Sequence, residues 1–132
     1  MKLSVAAGAV KQNALVAVVD DDESVVESLP DLLRELGFAA VAFGSANEFL
    51  ASAELALTRC LLLDVAMPGM SGPELQLELA FRGNKIPIIF ITAQADETIR
   101  QQVVGQGAVA CLFKPFSEQE LRAALAAALP GI

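Results

Sequence analysis

The strongest constraint on the fold is the alternation of short apolar blocks with segments of helical spacing. Five blocks of four to six residues are rich in aliphatic or aromatic side chains: Leu15–Val19, Ala39–Phe43, Cys60–Leu63, Ile86–Ile91 and Ala110–Phe113. Blocks of this length fit β-strands that are buried on both faces, because such strands present apolar side chains to both sides of a sheet.

The segments between the blocks predict α-helices. In Val25–Leu36, apolar residues recur at intervals of three and four positions, as they do on one face of a helix. The other predicted helices are Ala46–Leu55, Pro73–Phe81, Asp96–Gly105 and Ser117–Leu129. Strand and helix in strict alternation predict an α/β fold in which one parallel sheet carries helices on both faces.

Local signals mark the predicted helix ends. Four pairs have the Ser-x-x-Glu spacing of a capping box: Ser24–Glu27, Ser45–Glu48, Ser71–Glu74 and Ser117–Glu120. In that motif each side chain binds a backbone N–H group that the first turn leaves without a partner. Gly37, Gly83 and Gly107 follow predicted helices, where glycine commonly ends a helix.

Length and charge limit the domain organisation and the partners. A chain of 132 residues suits one domain, and we expect a flexible lead-in over 1–13, a folded domain over 14–129 and a tail over 130–132. The net charge is −7, with 9 basic residues that are not clustered. We therefore expect no direct contact with nucleic acid or a membrane.

The two cysteines indicate a compartment. Cys60 and Cys111 lie inside apolar blocks and form no Cys-x-x-Cys pair. This placement favours buried, reduced thiols, which are typical of a cytoplasmic protein.

Polar side chains follow four of the five predicted strands. They are Asp20, Asp21 and Asp22 after the first strand, Asp64 after the third, Thr92 after the fourth and Lys114 after the fifth. Because parallel strands end at one edge of a sheet, these side chains are expected to converge there. Carboxylates of Asp20, Asp21 and Asp64 would offer oxygen ligands to a hard divalent cation such as Mg²⁺.

Each of these residues also has an ordinary structural explanation. The acidic run suits a solvated turn or a helix N-terminus, and Asp64 suits a turn before Met-Pro-Gly. Thr92 suits a helix cap, and Lys114 suits surface charge. Their joint placement at one edge of one sheet favours a functional site.

The segment LLLDVAMPGMSGPEL, residues 61–75, resembles the phospho-acceptor segment of the receiver domain of two-component response regulators. VVDDDE, IIFITA and FKPF resemble the other three signatures of that family, in the family's order. The resemblance spans about residues 15–129 and is nearest to FixJ-like receivers. It implies a flavodoxin-like (βα)5 fold and a signalling phospho-acceptor rather than an enzyme.

The resemblance also implies residue roles. Asp64 would accept a phosphoryl group from a histidine kinase or a phosphotransfer protein. Asp21, assisted by Asp20, would bind Mg²⁺ together with Asp64 and the backbone carbonyl of Ala66.

Further matched positions surround the acceptor. Thr92 would hydrogen-bond the phosphoryl group, and Lys114 would pair with Asp64 before transfer and with the phosphoryl group afterwards. Pro115 would follow a cis peptide bond. Ala66 and Gln94 would flank the path of the hydrolytic water, which Gln94 is able to orient.

One position departs from the family pattern. Receivers carry an aromatic switch residue three positions before the conserved lysine, and this chain has Cys111 there. Phe113 shares a strand face with Cys111 and would be a partial substitute. The alternative is that Cys111 is a small core residue and that the fourth helix itself carries the signal. The resemblance also implies a homodimer through the fourth helix, the fifth strand and the fifth helix.

Two other functions remain open at this point. A haloacid-dehalogenase-like phosphatase would use Asp20 and Asp22 as its Asp-x-Asp pair, although the chain has no cap region and no acidic pair after Lys114. A degenerate receiver would act as an interaction module without phosphorylation, a reading that only Cys111 favours.

Overall fold

All five apolar blocks form strands in the computed structural model, which describes residues 14–130. The strands are β1 Leu15–Val19, β2 Ala39–Phe43, β3 Thr58–Asp64, β4 Ile88–Thr92 and β5 Ala110–Phe113. They form one sheet in the order β2-β1-β3-β4-β5, with every neighbouring pair parallel. The predicted α/β fold is confirmed. The predicted lead-in, 1–13, and the last two residues of the predicted tail lie outside the described residues.

Helices connect the strands: α1 Glu23–Glu35, α2 Ala46–Leu50, α3 Gly72–Phe81, α4 Glu97–Gly105 and α5 Glu118–Ala128. The prediction of one helix over Ala46–Leu55 was wrong, because α2 ends at Leu50 and a 3-10 helix follows over Ala53–Leu57. The hydroxyl of Ser52 donates to the Phe49 carbonyl, and such a side-chain bond competes with continuation of the helix. No helix in the described part of the chain is long and apolar enough to cross a bilayer.

Two of the four predicted capping boxes are complete. Ser71 and Ser117 each accept from a glutamate N–H group, and that glutamate accepts from the serine N–H group in return. Ser45 makes the first of these two bonds. The prediction of a capping box at Ser24 was wrong, because α1 begins at Glu23 and its N-cap is Asp22. The Asp22 carboxylate carries a full negative charge to the positive end of the helix, which a serine hydroxyl cannot do.

The core lies on both faces of the sheet. On one face, Leu33 of α1 and Leu121 of α5 pack against strand residues such as Leu62. On the other face, Phe49 and Leu75 belong to the cluster that covers the opposite sides of the strands. Double coverage explains why each strand reads as a continuous apolar block. Cys60 and Cys111 are buried free thiols, and burial raises the pKa of Cys60 to about 12.

The start of α3 lies directly against the end of β3. A Cβ atom at Gly72 would collide with the backbone oxygen of Asp64 and come within 2.9 Å of the Phe90 ring. The Gly72 N–H group also donates to the Val65 carbonyl at 3.0 Å. Gly72 therefore allows a close backbone approach that fixes the residue at the end of β3.

We expect Gly72→Ala to lower the free energy of unfolding by about 1 to 3 kcal/mol, because backbone atoms must shift to admit the methyl group. Gly105→Ala is the matched control, since a Cβ atom at Gly105 would meet nothing within 4 Å. Its helical position predicts a neutral or slightly stabilising change. Urea unfolding of both variants measures the difference, and equal midpoints would contradict this account of Gly72.

Candidate functional site

Four strand ends meet in one cavity of about 260 Å³. It is lined by Asp20, Asp21, Asp22, Asp64, Ala66, Thr92, Ala93, Gln94 and Lys114. The predicted acidic residues, the hydroxyl and the lysine are therefore brought together at the carboxyl edge of the sheet. Cys111, Phe113 and Pro115 lie outside this lining.

Three carboxylates dominate the cavity. Asp20, Asp21 and Asp64 each offer an oxygen atom, and these atoms lie within 4.8 Å of one another. Asp20 and Asp64 are buried, whereas Asp21 is exposed. A donor set made only of carboxylate oxygens fits a hard divalent cation of the Mg²⁺ type, which keeps several waters of its own.

Lys114 supplies positive charge to this cluster. Its Nζ atom lies 2.7 Å from Asp20 Oδ2 and 3.9 Å from Asp64 Oδ1. The expected pairing with Asp64 is thus the longer contact, and the hydrogen bond goes to Asp20. Asp20 is fully buried, and a buried charge without a partner is costly.

Asp64 titrates unusually for an aspartate. Burial and the nearby charge of Asp20 together raise its pKa to about 7, although Lys114 opposes both effects. Since the negative charge of the cluster exceeds what one ammonium group balances, the site favours additional positive charge.

Thr92 lies at the end of β4 and is 2% exposed. Its Oγ1 atom accepts from the Gln94 N–H group at 3.1 Å, so its own hydroxyl proton remains available to donate. Thr92 does not cap α4, whose N-cap is Asp96. The Lys114 N–H group donates to the Thr92 carbonyl at 2.7 Å, which ties the ends of β4 and β5. The Lys114–Pro115 peptide is cis.

Asp22 also faces the cavity, but its carboxylate is engaged elsewhere. It accepts from the N–H group of Ser24 at 2.9 Å and from the Ser24 hydroxyl at 2.7 Å, and these hydrogen bonds lower its pKa. Asp22 therefore serves the start of α1.

Arg100 is a neighbouring residue that the sequence did not indicate. Its Nη2 atom donates to the Cys111 carbonyl at 3.1 Å, and its Cζ atom lies 4.2 Å from the centroid of the Phe113 ring. Cys111 and Phe113 do lie on the same face of β5, as predicted. No sequence signal links an arginine in α4 to these residues, because the contact depends on how the helix docks.

Gly72 was also missed as a residue that positions the site. Its only sequence signal is its place eight residues after Asp64, inside the quoted segment 61–75. Nothing in that spacing reveals that a methyl group would strike the Asp64 backbone.

Comparison with known proteins agrees with this geometry. Residues 16–126 match the response regulator receiver domain. Nodulation protein W of Bradyrhizobium diazoefficiens is 49% identical over 115 residues, which are 87% of this chain and 51% of that protein. The transcriptional regulatory protein FixJ of Azorhizobium caulinodans is 41% identical over 115 residues, 86% of this chain and 54% of that protein.

A solved structure extends the comparison to three dimensions. The crystal structure titled FixJ-N has a TM-score of 0.80 at 34% identity, covering 91% of this chain and 96% of that one. This chain spans about half the length of the curated relatives it matches. With four signatures in order, a flavodoxin-like sheet and an acidic cluster at its carboxyl edge, the chain belongs to the receiver domain family of two-component response regulators.

Proposed function

We propose that the domain over residues 14–129 accepts a phosphoryl group on Asp64 from the phosphohistidine of a histidine kinase or a phosphotransfer protein. The observation that carries this proposal is the convergence of Asp64, Asp20, Asp21, Thr92 and Lys114 on one cavity. Members of the family act as signalling phospho-acceptors, and we assign the same role to this site.

In the transfer, an oxygen of the Asp64 carboxylate attacks the phosphorus atom. A P–O bond forms, the P–N bond of the donor breaks, and the imidazole leaves with the electron pair. Lys114 lies within 3.9 Å of both buried carboxylates, and it offsets the charge that accumulates on the phosphoryl oxygens. The Thr92 hydroxyl donates a hydrogen bond to one of those oxygens.

We assign Asp20, Asp21, Asp64 and the backbone carbonyl of Ala66 to a Mg²⁺ site. The three carboxylates have the right donor atoms and spacing, and Ala66 lines the same cavity. When bound, the cation supplies positive charge that neutralises the attacking and transferring oxygens. It also relieves the repulsion among the three carboxylates.

Two residues bear on the lifetime of the aspartyl phosphate. Gln94 lines the cavity beside Thr92 and is exposed, so its amide is able to orient a water for hydrolysis. Ala66 has no polar side-chain group, so its side chain offers that water no hydrogen bond. A haloacid-dehalogenase-like phosphatase is disfavoured, because its second acid would be Asp22, which caps α1.

The partners follow from the same assignment. The two curated relatives described above are named as a nodulation protein and a transcriptional regulatory protein, and we propose that this domain likewise controls a regulatory output. We place it in the cytoplasm, where two buried free thiols remain reduced, and assign it no direct contact with nucleic acid or membrane.

We expect incubation with acetyl phosphate and Mg²⁺ to add one phosphoryl group to the intact protein, as measured by mass spectrometry. Asp64→Asn removes the nucleophilic carboxylate, so the gain should be lost, and a chelator should abolish it in the wild type. Asp31→Asn is the matched control, since Asp31 is exposed on α1 and pairs with Arg34 of the same helix, away from the cavity. A persistent gain in Asp64→Asn would contradict Asp64 as the acceptor, and no gain with any donor would favour the interaction module.

Without a cation, the stability of the fold should fall as pH rises. The folded-state pKa of Asp64 is about 7, above its ordinary value of 3.8. The favourable contribution of Asp64 to the free energy of unfolding is therefore complete below pH 4 and is lost as pH rises through 7. Asp64→Asn should exceed the wild type in unfolding free energy at pH 8 by roughly 1 to 3 kcal/mol, and the gap should shrink at pH 5.

Urea unfolding with a chelator at both pH values measures this difference, and the chain has no histidine to titrate in the same range. Mg²⁺ at a hundred times its dissociation constant should add about 2.7 kcal/mol to the wild type, and less to Asp64→Asn. Identical pH dependence of the two proteins would contradict the Asp64 assignment.

We propose that phosphorylation favours a homodimer through the face formed by α4, β5 and α5. Val104 of α4 is 42% exposed and contributes apolar surface. Sedimentation with Mg²⁺ and beryllofluoride, a phosphoryl analogue, should show the mass of a dimer. A protein that remains monomeric at about 1 mM would rule out this dimer. A dissociation constant of 1 mM corresponds to only about 4 kcal/mol of binding free energy.

A further inference from the structure

We propose that Arg100 takes over the role of the missing switch aromatic and transmits occupancy of the Asp64 site to the surface of α4 and β5. The proposal rests on the proposed function, because it names how the phospho-acceptor site is read. Arg100 is a positioning residue that acts through hydrogen bonds and does not touch the acceptor.

Arg100 of α4 contacts two residues of β5. Its guanidinium lies over the Phe113 ring at 4.2 Å and donates to the Cys111 carbonyl at 3.1 Å. Cys111 is a small, buried residue, and an arginine side chain from the neighbouring helix covers this part of β5. A planar guanidinium stacks on a ring and donates in its own plane at the same time, which a lysine ammonium cannot do.

Three hydrogen bonds link Thr92, residue by residue through the loop before α4, to the backbone of Arg100. Thr92 Oγ1 accepts from the Gln94 N–H group at 3.1 Å. The Gln94 carbonyl accepts from the Asp96 N–H group at 2.9 Å, and the Asp96 carbonyl accepts from the Arg100 N–H group at 3.1 Å. Any rotation of the Thr92 hydroxyl towards a phosphoryl oxygen therefore acts on the loop that starts α4.

The register of the sheet places the same residues side by side. Thr92 of β4 is the direct partner of Phe113 on β5, and Phe90 is the partner of Cys111. The ring beneath Arg100 thus belongs to the residue paired with Thr92. Thr92 is therefore linked to Arg100 by the series of hydrogen bonds and to Phe113, which Arg100 contacts, by the pairing of β4 with β5.

The two ends of α4 are held differently. Near its start, Arg100 is partly exposed and also pairs with Glu97 at 3.1 Å. At its end, the buried Gln76 side chain of α3 donates to the Val103 carbonyl at 3.1 Å. A buried hydrogen bond costs more to break than an exposed one. We therefore expect the Arg100 end of α4 to move while the Val103 end stays in place.

Hydrogen exchange of the whole chain, followed by mass spectrometry with and without Mg²⁺ and beryllofluoride, tests the role of Arg100. In the wild type, exchange in segments 97–105 and 110–114 should change by about fivefold or more, the size of an ordinary allosteric coupling. In Arg100→Met, the change near Gln94 should persist, and the change in 110–114 should fall below about twofold.

Variants with related side chains separate coupling from mere stability. Arg82→Met is the matched control, because Arg82, the C-cap residue of α3, also pairs with a glutamate four residues earlier in the chain and lies away from β5 in sequence. Its exchange should match the wild type. Phe113→Leu removes the ring and should reduce the coupling even if Arg100→Met fails to fold. Arg100→Lys should restore it only in part.

These experiments distinguish failure of the Arg100 role from failure of the proposed phospho-acceptor function. If acetyl phosphate phosphorylates both the wild type and Arg100→Met, and beryllofluoride changes segment 110–114 equally in both, the role of Arg100 is overturned while the phospho-acceptor stands. The same holds if the wild type binds the analogue with no change in that segment. If the wild type takes up no phosphoryl group, the proposed function itself fails.

Discussion

The imbalance of charge at one edge of the sheet is the constraint on which the site depends. Three aspartate carboxylates offer oxygen atoms within 4.8 Å of one another. Among residues 14–130, one ammonium group reaches them, that of Lys114, 2.7 Å from Asp20 and 3.9 Å from Asp64. Lys114 pairs with the buried Asp20 carboxylate, and the pKa of Asp64 rises to about 7. A site with this deficit of positive charge fits a divalent cation, and under the proposed function that added charge is what lets a phosphoryl group approach Asp64.

The fold brings these charged groups to one edge of the sheet and holds them there. Parallel strands bring residues that are far apart in sequence to one edge, and the Lys114 N–H bond to the Thr92 carbonyl aligns two of those ends. Gly72 lets α3 start against the Asp64 backbone. Asp22, the remaining acid of the cavity, is held by the start of α1. The contacts that stabilise this edge of the sheet are thus the same contacts that position the proposed acceptor, Asp64.

Much of this arrangement follows from the sequence because it depends on periodicity. The bounds of β1, β2 and β5 agree with the apolar blocks, and convergence of Asp20, Asp64, Thr92 and Lys114 follows from strand ends alone. The prediction from sequence was wrong where neighbouring side chains compete to cap the same helix, since Asp22 rather than Ser24 caps α1. The preference of Lys114 for Asp20, and the docking of Arg100 on Phe113, depend on distances between elements. Such tertiary contacts leave no regular spacing in the chain.

The central claim is that Asp64, and no other acid of the cluster, carries the phosphoryl group. Borohydride reduces an acyl phosphate to an alcohol and so records its position permanently, where peptide mass spectrometry can read it. After treatment with a phosphodonor and Mg²⁺, we predict that position 64 alone is converted to homoserine and that a chelator prevents the conversion. Conversion at Asp20 or Asp21 instead, or an unmodified peptide around Asp64 in protein that has gained phosphoryl mass, would contradict the account.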